Sequence, residues 1–159
     1  MNKKLRLSAV LVIVLGVISL AVGITVIGLA YSKQSWMSEA MKQEKVELAA
    51  LGVKDAQPGV IIASAEQAQV AADTVRGHRH GIAPTYSDLL AGGKYDPTNV
   101  KDLLYAQALN LENYLYLGVL GFGVAQLAMG VGAFGVLTGL ALCIIGYALL
   151  ILARGLKNI

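Results

Sequence analysis

Charge is what this chain has least of. Only 14% of its 159 residues are charged, where a soluble domain carries roughly 25%. The deficit is concentrated in two places. Residues 8–30 hold no charged side chain, and neither do residues 113–153. These runs are 23 and 41 residues long, and about 20 apolar residues cross a hydrocarbon core of about 30 Å. A soluble globular protein is therefore excluded, and only the segment from Tyr31 to Glu112 is polar enough to fold in water. Cysteine is nearly absent as well. The single Cys143 lies deep in the second run, where it cannot form an intramolecular disulfide and reads as a small buried hydrophobe.

Catalytic signatures are missing too. There is no Gly-x-Ser-x-Gly elbow and no phosphate-binding Gly-x-x-x-x-Gly-Lys-Ser/Thr loop. Gly121-Phe122-Gly123 has no strand before it, so it is not a dinucleotide fingerprint. The apolar runs contain no Asp, Glu, Lys, Arg or His, the groups that proton relays and ion pathways usually need. Their polar residues include Thr25, Gln126, Thr138 and Tyr147, of which Gln126 is the best placed to hydrogen-bond another helix. No catalytic residue and no cofactor is expected.

The charges that are present are unevenly laid out. All ten acids lie between Glu39 and Glu112, and the segment from Tyr31 to Glu112 also holds eight of the thirteen basic residues. The other five basic residues, Lys3, Lys4, Arg6, Arg154 and Lys157, sit in the two tails. A nucleic-acid-binding protein would show a basic patch on a folded face, which is not visible. Basic tails beside apolar runs instead suit anionic lipid headgroups. Lys3-Lys4-Leu5-Arg6 ahead of an apolar run is also how a secretory signal begins, but a signal's apolar stretch is about 7–15 residues. The longer run here reads as an uncleaved anchor.

These observations predict an all-α membrane protein of three transmembrane helices, alternatively two, with a small helical extracytoplasmic cap. Residues 1–7 form a basic cytoplasmic tail, 8–30 the first span, 31–112 the cap and 154–159 a second basic tail. The 41-residue run would be about 61 Å long as one helix, so a turn near Gly130 to Gly135 divides it into spans at 113–132 and 135–153. The two-span alternative keeps both basic tails on the cytoplasmic side, as positive residues prefer. Tyr31, Trp36, Tyr114 and Tyr116 would anchor the membrane interface alongside the tail cations.

Within the cap, helix is expected from Lys33 to Ala50, ended by Gly52. Ser64 with Gln67 matches a capping box and opens a helix to about His78, with Gly77 and Gly81 at its end. Thr85 with Asp88 opens a short helix from Tyr86 to Leu90. Asp96-Pro97 resembles a helix start, with Val100, Leu103, Leu104, Ala108 and Leu111 along one side.

Small residues recur every seven positions in both apolar runs. Ala9, Gly16, Gly23 and Ala30 do so in the first, and Gly118, Ala125, Gly132, Gly139, Gly146 and Ala153 in the second, with Gly135 four residues before Gly139. Lipid offers helices no hydrophobic drive to associate, and small residues let backbones approach closely instead. The repeat marks packing seams whose partner could be this chain, an identical chain or another membrane subunit.

His78 and His80 are weak candidates for metal ligands, with Asp73 and Asp88 in the vicinity. Alternate positions point in different directions and Arg79 lies between them, so a solvated basic helix end is the simpler account. A zinc site takes three or four ligands, and no cysteine is placed to contribute.

Several short stretches carry a resemblance. They are the Lys-Lys-Leu-Arg start with its span, Gln67-Ala68 through Thr74-Val75 to His78, and Thr85-Tyr86-Ser87-Asp88-Leu89. Phe122-Gly123-Val124-Ala125, Met129-Gly130 and Ile145-Gly146-Tyr147-Ala148-Leu149 complete the set. Together they resemble a group of small bacterial membrane proteins, mostly from Actinobacteria and Chloroflexota, often labelled "aromatic ring-opening dioxygenase". That label implies an iron site of two His and a Glu, for which the residues here offer no support.

The expectation is a non-catalytic subunit of the bacterial cytoplasmic membrane that anchors, scaffolds or oligomerises through its Gly/Ala seams. Its partners would be the lipid bilayer and further copies or other membrane subunits, with no nucleic acid. A small homo-oligomeric transporter or channel is the alternative.

Overall fold

The computed structural model describes residues 3–155. Its helices are α1 (Lys3–Gln43), α2 (Ala65–Ile82), α3 (Tyr86–Leu90) and α4 (Val100–Gly155), with one 3-10 turn at Ala49–Leu51. No strand occurs among the described residues, and Glu47 and Ile61 make one isolated antiparallel bridge. The all-helical expectation holds. Two helices, α1 and α4, are long and apolar enough to cross a membrane.

The chain divides into two compact units. The first pairs α1 up to Lys33 with α4 from Ala125 onward, and the second spans Gln34 to Val124.

In the first unit the two small-residue repeats meet each other. A Cβ placed on Gly23 would lie 2.6 Å from the Gly132 carbonyl oxygen, and one on Gly139 would lie 2.7 Å from that of Gly16. One on Gly146 would lie 3.1 Å from the Ala9 carbonyl oxygen. Each step of seven along α1 is matched by a step of seven back along α4, so the helices run antiparallel with a seam at their line of closest approach. Ala9, Ala30, Ala125 and Ala153 are all buried. The Ser19 hydroxyl donates across the seam to the Gly135 carbonyl at 2.8 Å.

The expected turn near Gly130 to Gly135 is absent, because α4 is a single 56-residue helix. The physical reason is packing. Gly132 and Gly135 face α1, and a turn would take the glycines after it out of the seam. The spans expected at 113–132 and 135–153 are thus parts of one helix.

The boundary expected at Glu112 also moves, since residues 113–124 belong to the second unit. Leu115 and Phe122 there are 0% and 2% exposed, in a core with Met41, Leu48, Ile62, Ala68, Ala71, Ala72 and Val75. Within the first twelve residues of the long uncharged run, Leu115 and Phe122 are therefore buried in protein.

Inside the second unit, α1 stops at Gln43 rather than near Ala50. Lys45 takes a left-handed conformation (φ 51°), turning the chain back so that Leu48 donates to Val60 O and Ile62 to Val46 O, both at 3.0 Å. The Ser64 hydroxyl caps α2 by accepting from Gln67 N–H at 3.2 Å. The Gln67 side chain returns the bond to Ala63 N–H at 2.9 Å, one residue earlier than in a standard capping box. This helix continues through Gly77 and Gly81 to Ile82. The Thr85 cap and the short α3 are as expected.

The Asp96-Pro97 start gives way to a turn in which Asp96 accepts from Thr98. Asn99 then accepts from Lys101 N–H as α4 begins. The expected side of α4 docks only in part, through Ala108 and Leu111. Val100, Leu103 and Leu104 are exposed, while Asp102, Tyr105, Glu112 and Leu115 are buried.

Added bulk at the seam should force the backbones apart. Gly23→Val or Gly132→Val should destabilise the first unit by about 1–3 kcal/mol, the usual cost of overpacking. Gly28→Ala and Gly130→Ala, where an added Cβ meets nothing within 4 Å, should be close to neutral. Thermal unfolding of the four variants in a mild detergent checks this, and equal losses at all four positions would refute it.

Candidate functional site

The chemistry-bearing side chains of the second unit gather where α2 meets α4. The Ala68, Ala71, Ala72 and Val75 face of α2 brings its backbone close to α4, and Arg76 and Arg79 follow one turn on. Arg79 Nε donates to Glu112 Oε2 at 2.6 Å. Its Nη1 donates to the Tyr105 hydroxyl at 2.5 Å, and its Nη2 reaches Glu112 Oε1 at 3.4 Å. The guanidinium also lies over the Tyr105 ring, 5.0 Å from the centroid. Arg76 adds a second contact to Glu112 Oε1 at 3.2 Å and covers the Tyr116 ring at 4.9 Å. The Tyr116 hydroxyl donates to Asp73 Oδ1 at 2.6 Å, and Gln69 donates to Asp73 Oδ2 at 2.9 Å.

Two arginines thus face two carboxylates, with two phenols between them. Arg79 and Glu112 are buried, with side chains only 10% and 6% exposed. Burial by itself would push the Glu112 carboxyl up. The hydrogen bonds from Arg79 and Arg76, with their charge, overcome that and hold it below its ordinary value. Arg79 is raised in return, chiefly by its bond to Glu112. Tyr116 is pushed up to about 12 by burial and by its bond to Asp73. Among the described residues, no buried side-chain polar atom lacks a partner. What this arrangement does physically is bolt α2 to α4, because every ionised group is taken up by another.

His78 and His80 are both exposed. The His78 ring sits beside Gly52, where an added Cβ would lie 3.3 Å from Cε1, and His80 Nε2 lies 3.1 Å from Arg79 Nη2. Among the described residues no three His, Cys, Asp or Glu side chains come together as a metal-ligand set. His78 lines an open groove of about 420 Å³ with Gly52, Val75, Leu104, Gln107 and Leu111.

The helix-packing residues Ala9, Gly16, Gly23, Gly132, Gly139 and Gly146 come together in the α1–α4 seam, with Gly135 at its edge. The polar residues expected within the spans do not converge. Gln126 and Tyr147 are exposed and Thr138 is half-buried. The register of the seam puts Gln126 level with Leu29, one turn from Lys33, so its amide lies near the end of the apolar stretch rather than at its centre. The cations Lys3, Lys4, Arg6 and Arg154 are exposed at the same end of the first unit, while Lys157 lies outside the described residues. Tyr31 and Trp36 are 68% and 66% exposed. Tyr114 and Tyr116 belong to the second unit, and Tyr116 is committed to Asp73, so the expected anchoring role does not fit it.

Sequence reasoning passed over the Arg79–Glu112–Tyr105 cluster. Its signal was a lone acid, Glu112, seven residues after Tyr105 on a helix face that is otherwise apolar from Leu115 onward.

Removing one partner leaves a buried charge alone, which costs about 3–5 kcal/mol. Arg79→Met should therefore lower the melting temperature strongly, and adding Glu112→Leu should recover much of the loss. Glu112 has a folded pKa below its unfolded value near 4.5. Its contribution is present above that pH and is lost as the pH falls through the lowered value. Melting curves from pH 7 to pH 3 should show wild-type stability falling below about pH 4.5 and a flatter profile for Glu112→Gln. Parallel profiles would refute the assignment.

No protein-family model, no curated protein and no solved structure matches this chain.

Proposed function

We propose that the protein is a non-catalytic integral subunit of a bacterial cytoplasmic membrane, which anchors or scaffolds an assembly of helices. The α1–α4 pair is the anchor, with its basic end in the cytoplasm and residues 34–124 on the extracytoplasmic side. The observation that carries this reading is the exterior of the first unit. The small residues of its seven-residue repeats face the internal seam, while Leu11, Ile18, Leu127, Phe134 and Ile144 point outward, each more than half exposed. A helix pair that is apolar all round is at home in lipid or among other membrane helices. Two crossings put Arg6 and Arg154 on one side, in accord with the tendency of positive residues to stay inside. In the second unit the ionised groups at the α2–α4 contact bond one another, as expected of a cluster that serves shape.

Alkaline carbonate should leave the protein in the membrane pellet, and release into the supernatant would overturn the anchor. In a Cys143→Ala background, a membrane-impermeant thiol reagent applied to intact cells should label Glu66→Cys and spare Arg6→Cys. The opposite pattern would invert the orientation.

A further inference from the structure

The second unit leaves a long apolar stripe uncovered. Leu117 and Leu120 of α4 are 66% and 63% exposed, and Val124 is 58% exposed. At this level Met37 and Met41 of α1 pack on Gly121 and Gly118. The same stretch of α1 carries Glu39 and Lys42, ion-paired at 2.8 Å with side chains 67% and 47% exposed. An exposed ion pair belongs in water, so lipid does not cover α4 here. A contiguous apolar surface in water marks a protein contact.

The spacing identifies the kind of contact. Leu103, Ala106, Asn110, Asn113, Leu117, Leu120 and Val124 follow one another in alternating steps of three and four, the 3.5-residue repeat of a coiled coil. None of them is buried. They lie opposite the Tyr105, Glu112 and Leu115 face that docks on α2.

We propose that this stripe is where copies of the chain meet, with their α4 helices parallel and in register. The inference rests on the membrane reading, because copies inserted in the same orientation can only meet in parallel. Asn110 and Asn113 supply the argument for a second copy over a different partner. Each is an amide set into an apolar repeat, and a parallel copy in register places the same amide, donor and acceptor together, opposite it. Polar residues at such positions fix register and oligomer state in coiled coils.

The test is oxidative cross-linking of the full chain in native membranes, in a Cys143→Ala background. Parallel seam positions face their own counterparts, and a disulfide forms when Cβ atoms come within about 3.5–4.5 Å. Asn113→Cys and Leu117→Cys should each yield a band of dimer mass, and Glu66→Cys on α2 should yield none. Light scattering in mild detergent should show a mass of two or more chains, falling to one for the Leu117→Glu/Leu120→Glu pair without loss of melting temperature. Absence of self-cross-linking at both seam positions overturns the inference. So does equal cross-linking at position 66, or a cross-link from position 117 to a protein of another mass. A chain that fails these tests yet resists alkaline extraction still satisfies the anchor reading, so the two fail separately.

Discussion

Backbone-to-backbone contact along the α1–α4 seam is the constraint on which the first unit depends. Inside a bilayer, leaving lipid for protein gains no hydrophobic free energy, because the lipid tails are as apolar as the side chains they replace. What remains is dispersion, which is small per atom pair and large when many pairs meet. Gly16, Gly23, Gly132 and Gly139 make that sum possible. Each sits where a Cβ would fall within 3 Å of a backbone atom on the other helix. The Ser19 bond to the Gly135 carbonyl is available because the backbones are already that close. A seven-residue spacing holds these contacts on one line of each helix, which is why α4 runs through its glycines without a turn.

The second unit is held together differently. Leu115, Phe122, Ile62 and the alanines of α2 cluster in one apolar core, and the small side chains of α2 again set a short distance to the neighbouring helix. Here the short distance brings charge into play. Arg79 and Glu112 sit where desolvation is costly, and they persist because each remaining donor or acceptor finds a partner in Tyr105 or Arg76. Such a cluster adds little net stability over an apolar one of the same volume. Its effect is positional, since the fork of one guanidinium and the two oxygens of one carboxylate admit few alternative alignments of α2 on α4.

How much of this was legible in the sequence follows from what each signal encodes. The repeats of Ala9, Gly16, Gly23 and Ala30 and of Gly132, Gly139 and Gly146 were visible as seams, because a periodic absence of side chain says that something must come close. It does not say what comes close, so the pairing of one repeat with the other emerged only in three dimensions. The caps at Ser64 and Thr85 were legible because they join residues three apart. The Arg79–Glu112 pair joins residues 33 apart, beyond any local pattern. The error at Gly130 to Gly135 and the boundary at Glu112 share one cause. Hydropathy registers a preference for an apolar surrounding and is blind to whether lipid or protein provides it. Residues 113–124 are as uncharged as the rest of the run, yet Leu115 and Phe122 are core residues of the second unit.

The same blindness explains the outer stripe of α4. Leu117 and Leu120 merge with the membrane-level leucines in any hydropathy profile, so they read as lipid-facing. Once Met37 and Met41 tie this part of α4 to a charged stretch of α1, a surface suited to oil is found beside one suited to water. Two ways exist to resolve such a conflict: bury the leucines inside the unit, or cover them from outside. The first is closed, because the opposite side of α4 is already occupied by α2 through Tyr105, Glu112 and Leu115, and a helix cannot turn two opposite faces toward one core. The covering must then come from a further helix, and a stripe repeating every 3.5 residues is the shape that another helix fills.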